Sequence, residues 1–362
     1  MKPIFSFLLI ATSLLLFNSC KDNGTEPQER KIKSPLDMTW TYEVISPTIG
    51  SQLMMSSIYG SSYKDIWICG HSSVNQGSLW HYDGSKWTNI DPLIGNEYGP
   101  VSLTNLFGFS STNIWLVGNR TVGSGQNEKL KCLLLNYNGT RWVDQKIETL
   151  GGLFPIHGNE PTNIWAGGYE GVITHFNGIE WIADTIRLKG VNPKNFGLGS
   201  IVVYNGKPIV MAKENDGVRG INTFYITGSI DNWRVIDSNK VLENNLEYTS
   251  GDTGMFISSS NRLFSYGVFG VWEWINSKWS KIFSGNYYIG GLFGINDNYM
   301  IGVGNKSFAV FYNGSTWTQI PQIKNITENV QFEDVWTDGT EVFIVGYSTG
   351  GFPNKTYIWH GK

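Results

Sequence analysis

The sequence predicts an all-β protein, a seven-bladed β-propeller of four-stranded antiparallel blades. Three observations support this prediction: a phrase that recurs along the chain, turn residues at regular intervals, and an unpaired strand at each end. The repeat period is about 40–50 residues. Such a period is typical of propellers and solenoids, because each unit buries its apolar face against the next one.

The repeat is clearest between residues 106 and 142. Its first half is Asn113–Gly118, Asn-Ile-Trp-Leu-Val-Gly, and its second half is Tyr137–Trp142, Tyr-Asn-Gly-Thr-Arg-Trp. Equivalent phrases begin at Asp65 and at Asn163, and weaker copies follow as far as the C-terminal end.

Each copy predicts four short strands, which we call a, b, c and d. Strand b carries the Ile-Trp pair, strand c ends before an Asx-Gly dipeptide, and strand d opens on tryptophan. Dipeptides such as Asp83-Gly84 and Asn138-Gly139 favour a tight hairpin between strands c and d, because glycine tolerates positive φ.

The two chain ends predict how the ring closes. Residues 39–44 have the pattern of a d strand with no blade before them, whereas the last repeat ends at strand c, within residues 356–362. We therefore expect the N-terminal strand to pair into the last blade, which leaves no open sheet edge there. The tryptophans that open the d strands indicate seven blades: Trp40, Trp87, Trp142, Trp181, Trp233, Trp279 and Trp317.

Composition limits the possible partners. The chain of 362 residues is 14% aromatic and 16% charged, with a formal net charge of −3. It lacks the basic footprint of a nucleic-acid-binding protein. Cys69 and Cys132 fall in apolar strand-like runs, so we expect two buried thiols. The sequence shows no Cys/His spacing of a metal site, and we expect no cofactor and a monomer.

The first residues are predicted to be a targeting segment and not part of the fold. Lys2 precedes an apolar stretch, residues 5–17, that is too short for a permanent transmembrane helix. The small residue before Cys20 resembles the end of a bacterial lipoprotein signal. This resemblance implies a signal peptide over residues 1–19 and a lipid on Cys20, with ordinary secretion as the alternative. Residues 20–36 are then a flexible tether and residues 37–362 a single propeller domain.

The repeat resembles those of bacterial β-propellers that carry Asn/Asp-Ile-Trp-x-Val-Gly and Tyr-Asn-Gly-x-x-Trp phrases. The polar run that starts at Cys20 is similar to that of lipoproteins of the Bacteroidota. The resemblance covers about residues 37–362 and implies a cell-envelope lipoprotein anchored to the outer membrane, either periplasmic or surface-exposed. It implies no particular activity, because a shared fold does not carry one.

Loop lengths point to one face as a binding surface. In a four-stranded meander the b–c and d–a links lie on the same face, which we call the loop face. The predicted long loops are almost all of these two kinds: 71–77, 91–101, 119–130, 184–197, 213–221, 237–252, 284–290, 319–331 and 347–355. Length and variety on one face of a rigid scaffold are typical of a binding surface.

Polar and aromatic residues that follow strand b are the candidate ligand-binding residues. We expect them around the mouth of the central channel, although solvated loop ends are the alternative interpretation. They are His71, Asn119, Arg120, Tyr169, Glu170, Lys213, Glu214, Asn305, Lys306 and Tyr347.

A second set lies on strand a, which lines the channel of a propeller: Tyr59, Phe107, His157, Phe256, Phe293 and Trp336. Such a ring could stack on sugar or peptide, but we favour packing between neighbouring blades, which is the usual place of strand aromatics. His157 has no partner at a useful spacing and is predicted to be structural.

These observations favour a non-enzymatic binding or scaffold module for a glycan or a protein. The alternative is a carbohydrate-active enzyme, a hydrolase or lyase, that uses two carboxylates about 5–10 Å apart. Its candidates are Glu97, Glu128, Glu170, Glu214 and Asp216. No residue is assigned a catalytic role, because the sequence contains no nucleophile elbow, phosphate loop or His-Glu-x-x-His motif.

Overall fold

The described residues are almost entirely β structure. The computed structural model describes residues 31–47, 50, 52–73, 77–90, 98, 101–123, 125–147, 151–215, 220–242, 247–323 and 329–362. The strands are β1 Trp40–Ile45, β2 Leu53–Ser62, β3 Asp65–Ser72, β4 Leu79–Tyr82, β5 Trp87–Asn89, β6 Val101–Ser110, β7 Asn113–Val122, β8 Lys129–Tyr137, β9 Trp142–Asp144, β10 Leu153–Glu160, β11 Asn163–Gly168, β12 Val172–Phe176, β13 Trp181–Thr185, β14 Phe196–Tyr204, β15 Lys207–Asn215, β16 Gly220–Ser229, β17 Asn232–Leu242, β18 Gly254–Ile257, β19 Leu263–Ile275, β20 Lys278–Asn296, β21 Tyr299–Gly304, β22 Phe308–Tyr312, β23 Trp317–Gln319, β24 Val330–Thr337, β25 Val342–Ser348 and β26 Thr356–Gly361. Short 3-10 helices cover Gly125–Asn127, Pro193–Asn195 and Pro321–Ile323.

The described strands form six hydrogen-bonded sheets. Five sheets have four strands: β2–β5, β6–β9, β10–β13, β14–β17, and β24–β26 with β1; the sixth has six strands, β18–β23. The predicted blade of four antiparallel strands is confirmed. The predicted number of seven blades is wrong, because the fifth and sixth repeats share one sheet.

One long strand joins those two repeats. β20 has 19 residues; it pairs with β19 as far as Tyr288 and with β21 from Ile289 onward. The backbone stays extended through residues 284–290, where the sequence predicts a loop. The seven tryptophan-marked repeats therefore map onto six sheets.

The N-terminal strand closes the ring, as predicted. β1 pairs antiparallel with β26 from Trp40 opposite Gly361 to Ile45 opposite Thr356, so the strand begins one residue later than predicted. Thr39 and Lys362 extend this pairing with backbone hydrogen bonds of 2.9 and 3.0 Å. The first and last described strands thus satisfy each other's backbone groups, which would otherwise form an exposed sheet edge.

The c–d turns follow from the Asx-Gly dipeptides. Gly84 has φ of +91°, in the left-handed region that favours glycine. The Asp83 carboxylate oxygen Oδ1 accepts hydrogen bonds from the backbone N–H groups of Ser85 at 2.9 Å and Lys86 at 3.0 Å. Hydrogen bonds from the Ser85 hydroxyl and from these backbone groups lower the pKa of Asp83 to about 2. The predicted tight hairpin is confirmed at this turn.

The d-strand tryptophans pack against the preceding sheet. Trp142 lies 5.6 Å from Trp67 and Trp181 lies 5.5 Å from Trp115, both edge to face. Aromatic pairs of this kind contribute about 0.5–1.5 kcal/mol beyond the area they bury. These tryptophans therefore belong to the core between sheets.

The innermost strands contact one another around a closed ring. The succession runs from β2 through β6, β10, β14, β18, β20 and β24 and returns to β2. Apolar clusters lie between consecutive sheets, so the sheets are the blades of a β-propeller. The thiols of Cys69 and Cys132 are buried in these clusters and form no disulfide, as predicted. Within the described ranges, no helix is long and apolar enough to cross a membrane.

Candidate functional site

A cavity of about 350 Å³ lies at the centre of the ring. The innermost strand of every repeat contributes to its wall. All the strand-a residues predicted to line the channel do so: Tyr59, Phe107, His157, Phe256, Phe293 and Trp336. The cavity is small but within the range of about 300–1,000 Å³ that is usual for ligand sites.

The aromatic residues of this ring also pack between blades. A Cβ added at Gly60 would lie 2.6 Å from the Trp336 ring, and one added at Gly108 would lie 2.5 Å from the Tyr59 ring. Each ring therefore covers a glycine of the following blade. This contact accounts for the aromatic side chains at these positions without any ligand, as the sequence interpretation favours.

His157 has a structural role, as predicted. Its Nδ1 accepts a hydrogen bond of 3.3 Å from the backbone N–H of Val203 in the next blade. Burial lowers the pKa of His157 to about 4. The imidazole is therefore neutral at physiological pH and adds no charge to the cavity.

A belt of side-chain hydrogen bonds joins the innermost strands, and sequence reasoning missed it. In each case a side-chain oxygen accepts from a backbone N–H of the next blade. The pairs are Asp334 with Ile58 at 3.0 Å, Ser57 with Leu106 at 3.0 Å, Asn105 with Ile156 at 3.4 Å, and Ser200 with Met255 at 3.1 Å. Each acceptor directly follows a register shift in its strand. Such a bulge disrupts the ladder locally, and the side chain that follows it accepts a hydrogen bond from the neighbouring blade.

Asp334 is the carboxylate of this belt, and it faces the cavity. Its Oδ2 accepts from Ile58, and its Oδ1 accepts from its neighbour, the Val335 N–H, at 2.9 Å. In the preceding repeat, Gly291 stands at the position equivalent to Asp334. Because glycine has no side chain, it cannot accept a hydrogen bond from the Val335 N–H, and Asp334 accepts that bond instead. Burial raises the pKa of Asp334 to about 7, and these N–H donors offset only part of that effect.

At the loop-face end of the same strand, Glu333 meets the predicted residue Tyr347. The two side chains are hydrogen-bonded, and Gln331 Nε2 donates to Glu333 Oε1 at 2.7 Å. Burial raises the pKa of Glu333 and that of Tyr347. The phenol is therefore a neutral hydrogen-bonding group and not an activated nucleophile.

Two further predicted residues support this part of the channel mouth. Asn305 Oδ1 accepts a hydrogen bond of 3.1 Å from the backbone N–H of Tyr288, and burial raises the pKa of Tyr288 to about 12. Lys213 Nζ lies 3.9 Å from Asp252 Oδ2. Lys213, Asn305 and Tyr347 thus lie in a polar band around one side of the mouth.

The predicted residues of the second and third blades have other neighbours. Arg120 lies 3.7 Å from Asp144 and 5.9 Å from the centre of the Tyr98 ring. Tyr169 is 51% exposed, and the centre of its ring lies 4.4 Å from that of Phe154 in an edge-to-face arrangement.

The remaining candidates are not drawn into one cluster. Glu214 is buried; its oxygens accept from the Asn192 backbone N–H at 2.8 Å and from Asn222 Nδ2 at 2.9 Å, so it ties a loop to β15. Glu170 and Lys306 are exposed turn residues with φ of 55° and 56°. The rest of the set are half-buried: His71 in β3, and Asn119 in β7 beside Gly152.

The carboxylates of the hydrolase alternative are dispersed. Glu128 and Glu170 are exposed on separate blades, and Glu214 is committed to its hydrogen bonds. Glu97 and Asp216 lie outside the described residues, as does Cys20. Within the described ranges, no group of at least three His, Cys, Asp or Glu side chains is arranged to hold a metal ion.

The chain is thus a β-propeller with a small central cavity and a polar mouth. No protein-family model matches it, and no curated protein matches it significantly. Solved structures do match. YCF48 bound to a D1 peptide has a TM-score of 0.57 at 14% identity, over 88% of this chain and 96% of that one. YCF48 from Cyanidioschyzon merolae has a TM-score of 0.52 at 15% identity, over 87% and 98%.

The extracellular domain of BT4673 from B. thetaiotaomicron is also similar. Its TM-score is 0.57 at 12% identity; the match covers 88% of this chain and 40% of that one. At these identities the likeness shows a common fold and nothing further.

Proposed function

We propose that this chain is a binding propeller that holds a protein partner on its loop face. The observation that carries the proposal is a pair of large exposed side chains at loop-face turns. Tyr169, directly after β11, is 51% exposed, and Phe352, between β25 and β26, is 74% exposed. Tyr169 lies on the short link 169–171 and Phe352 on the longer link 349–355, and strands of the ring anchor both links.

Exposed aromatic side chains on a rigid scaffold favour a macromolecular partner. Tyrosine and phenylalanine are enriched in the buried centre of protein interfaces. Full burial of one such side chain contributes about 1.5–3 kcal/mol. The polar band of Lys213, Asn305 and Tyr347 supplies hydrogen-bonding groups beside them.

A propeller of the same fold, YCF48, has been solved bound to a D1 peptide. This precedent supports a protein partner over a glycan but does not identify one. The lipid anchor at Cys20 remains part of the proposal, since an envelope-bound propeller would meet its partner at the membrane surface. The extracellular setting of the BT4673 domain supports the same location.

Site-specific photocrosslinking in the native cell envelope tests the proposal. A photoreactive amino acid replaces Tyr169 or Phe352 in the full chain. The matched control replaces Ile179, which is 88% exposed but lies in the c–d turn of the same blade as Tyr169, on the opposite face. We expect a discrete protein adduct from the two loop-face positions and none from Ile179.

Equal crosslinking from both faces, or none from the loop face, would contradict the proposal. An adduct whose added mass is removed by polysaccharide-degrading enzymes would instead identify a glycan ligand. Turnover of a polysaccharide by the purified chain would overturn the non-enzymatic assignment.

A further inference from the structure

The second observation lies inside the channel, below the loop face. The cavity wall is mostly apolar and aromatic, with Tyr59, Phe107, Phe256, Phe293 and Trp336 around it. One carboxylate interrupts this wall, that of Asp334. The described lining residues include no lysine and no arginine.

Asp334 has hydrogen-bond donors but no counter-ion. Its hydrogen-bond donors are the backbone N–H groups of Ile58 and Val335 and the side chain of Ser57. The other titratable groups close enough to interact with it are Glu333 on the same strand, Tyr266 on β19 and Cys69 on β3. These three neutral donors do not fully replace the solvation that a carboxylate loses on burial.

Tyr266 lies on the same wall with its hydroxyl unused. The side chain lines the cavity and is half-buried, and its hydroxyl has no hydrogen-bond partner among the described residues. The hydroxyl lies against Gly254, where any Cβ would collide with it. A phenol hydroxyl can both donate and accept, so it can accept a hydrogen bond from a ligand in the cavity.

We propose that the channel binds an organic cation, an alkylammonium or guanidinium group, with Asp334 as counter-ion and the Tyr266 hydroxyl as hydrogen-bond acceptor. The alkyl part of the ligand packs on the aromatic wall, whose rings also attract positive charge. A neutral or anionic head group would leave the buried carboxylate uncompensated. The cavity volume of about 350 Å³ suits one side chain or one small amine.

The cation has two possible sources with the same chemistry. One is a lysine or arginine side chain of the protein partner, and in this form the inference rests on the proposed function. The other is a free amine, which would need no partner.

Titration calorimetry of the full chain with butylammonium tests the proposal, with 1-butanol and butyrate as neutral and anionic analogues. The solution is held at about pH 8, one unit above the pKa of Asp334, so that the carboxylate is ionised. We expect saturable millimolar binding of butylammonium alone. Asp334→Asn should weaken it at least tenfold, which is about 1.4 kcal/mol, and Tyr266→Phe should weaken it severalfold.

The matched control is Asp231→Asn, at an exposed turn with φ of +62°, where asparagine is well tolerated. It should leave binding unchanged. Absence of butylammonium binding, equal binding of 1-butanol, or full binding by Asp334→Asn would each overturn the inference.

Acetyl-lysine-amide and acetyl-arginine-amide, each with a free side chain, distinguish the two sources. Binding of either that depends on Asp334 indicates a partner side chain, whereas binding of butylammonium alone indicates a free amine. The inference and the proposed function can fail separately. A channel that binds no cation, in a protein that still crosslinks through Tyr169, removes only the inference. A channel that binds butylammonium, without any loop-face adduct, removes only the proposed function.

Discussion

Replacing Asp334 by asparagine should make the protein more stable relative to wild type as pH rises. The folded-state pKa of Asp334 is raised from 3.8 to about 7. A carboxyl group with a raised pKa contributes its full stability below the unfolded-state value, and this contribution is lost as pH rises to the folded-state value. A difference of about three units corresponds to at most about 4 kcal/mol, because each unit is about 1.4 kcal/mol.

Asparagine matches the protonated carboxyl group in shape and charge, but it presents one oxygen where Asp334 presents two that accept from the Ile58 and Val335 N–H groups. We therefore expect the variant to be less stable than wild type by about 1–3 kcal/mol at about pH 4, where Asp334 is protonated in the fold. The free energy of unfolding of the variant should rise relative to that of wild type from about pH 4 to 7, and the difference between them should become constant above this window.

The free energy of unfolding of Asp334→Asn must be compared with that of wild type at each pH. In wild type alone, His157 changes the stability in the same pH window with the opposite sign. Its folded-state pKa is lowered from 6.5 to about 4, so its contribution grows as pH rises from 4 to 6.5 and masks the loss from Asp334 in wild type. Glu333, whose pKa is also raised, interacts with Asp334, so part of the difference between the two proteins reports the repulsion between these two carboxylates.

Urea unfolding at half-unit pH steps, followed by tryptophan fluorescence, gives the required free energies. Asp231→Asn is again the control and should run parallel to wild type. A constant difference between Asp334→Asn and wild type from pH 4 to 8 would refute the assignment of an uncompensated buried carboxylate to the channel.

Three other outcomes follow from the fold. Deletion of residues 37–45 removes β1 and exposes the edge of β26, so light scattering after size exclusion should show aggregation; an unchanged monomer with the same melting temperature would disprove ring closure. Gly304→Ala places a methyl group against the Tyr288 carbonyl, whereas Gly350→Ala meets nothing within 4 Å; thermal unfolding should show a loss of about 1–3 kcal/mol or more for the first and none for the second, and equal effects would contradict the packing. Cys20→Ala should abolish labelling by an alkynyl fatty acid and release the protein from membranes; retained labelling would exclude Cys20 as the lipid site.

Strand type, the c–d turns and ring closure could be predicted from local patterns. The Asx-Gly turns are stabilised by their own side chains and by the φ angle of their glycine. Asp83-Gly84 therefore forms the predicted hairpin through local interactions alone. The unpaired phrase around Trp40 likewise matches the missing d strand after Gly361, and β1 pairs there.

The blade count failed because tryptophans count repeats and not hydrogen-bonded sheets. Residues 284–290 contain Gly285, Asn286 and Gly290, which favour a turn. Tertiary contacts override that preference: a Cβ at Gly290 would lie 2.6 Å from the Phe332 carbonyl oxygen of β24. The glycine permits close approach of an extended strand and does not mark a loop.

The candidate site was only partly accessible to the same reasoning. Sequence reasoning named Tyr347, Lys213 and Asn305 because they follow strand b, but it did not name Glu333 and Asp334 within strand a. The available signal was their position: two adjacent carboxylates in an inner strand, with Asp334 aligned with Ser57 and Asn105.

The sequence by itself determined the repeat, the antiparallel blade and the strand that closes the ring, because these depend on period, turn chemistry and the matching of chain ends. Only the tertiary structure decided how many sheets the repeats form and which side chains converge in the channel. Those features depend on contacts between residues far apart in the chain, such as Asp334 and Ile58. The sequence does not show which residues of the neighbouring blade will face a given carboxylate. In the ring, Asp334 joins the hydrogen-bond belt, and the described residues of the cavity wall offer it no lysine or arginine as a counter-ion.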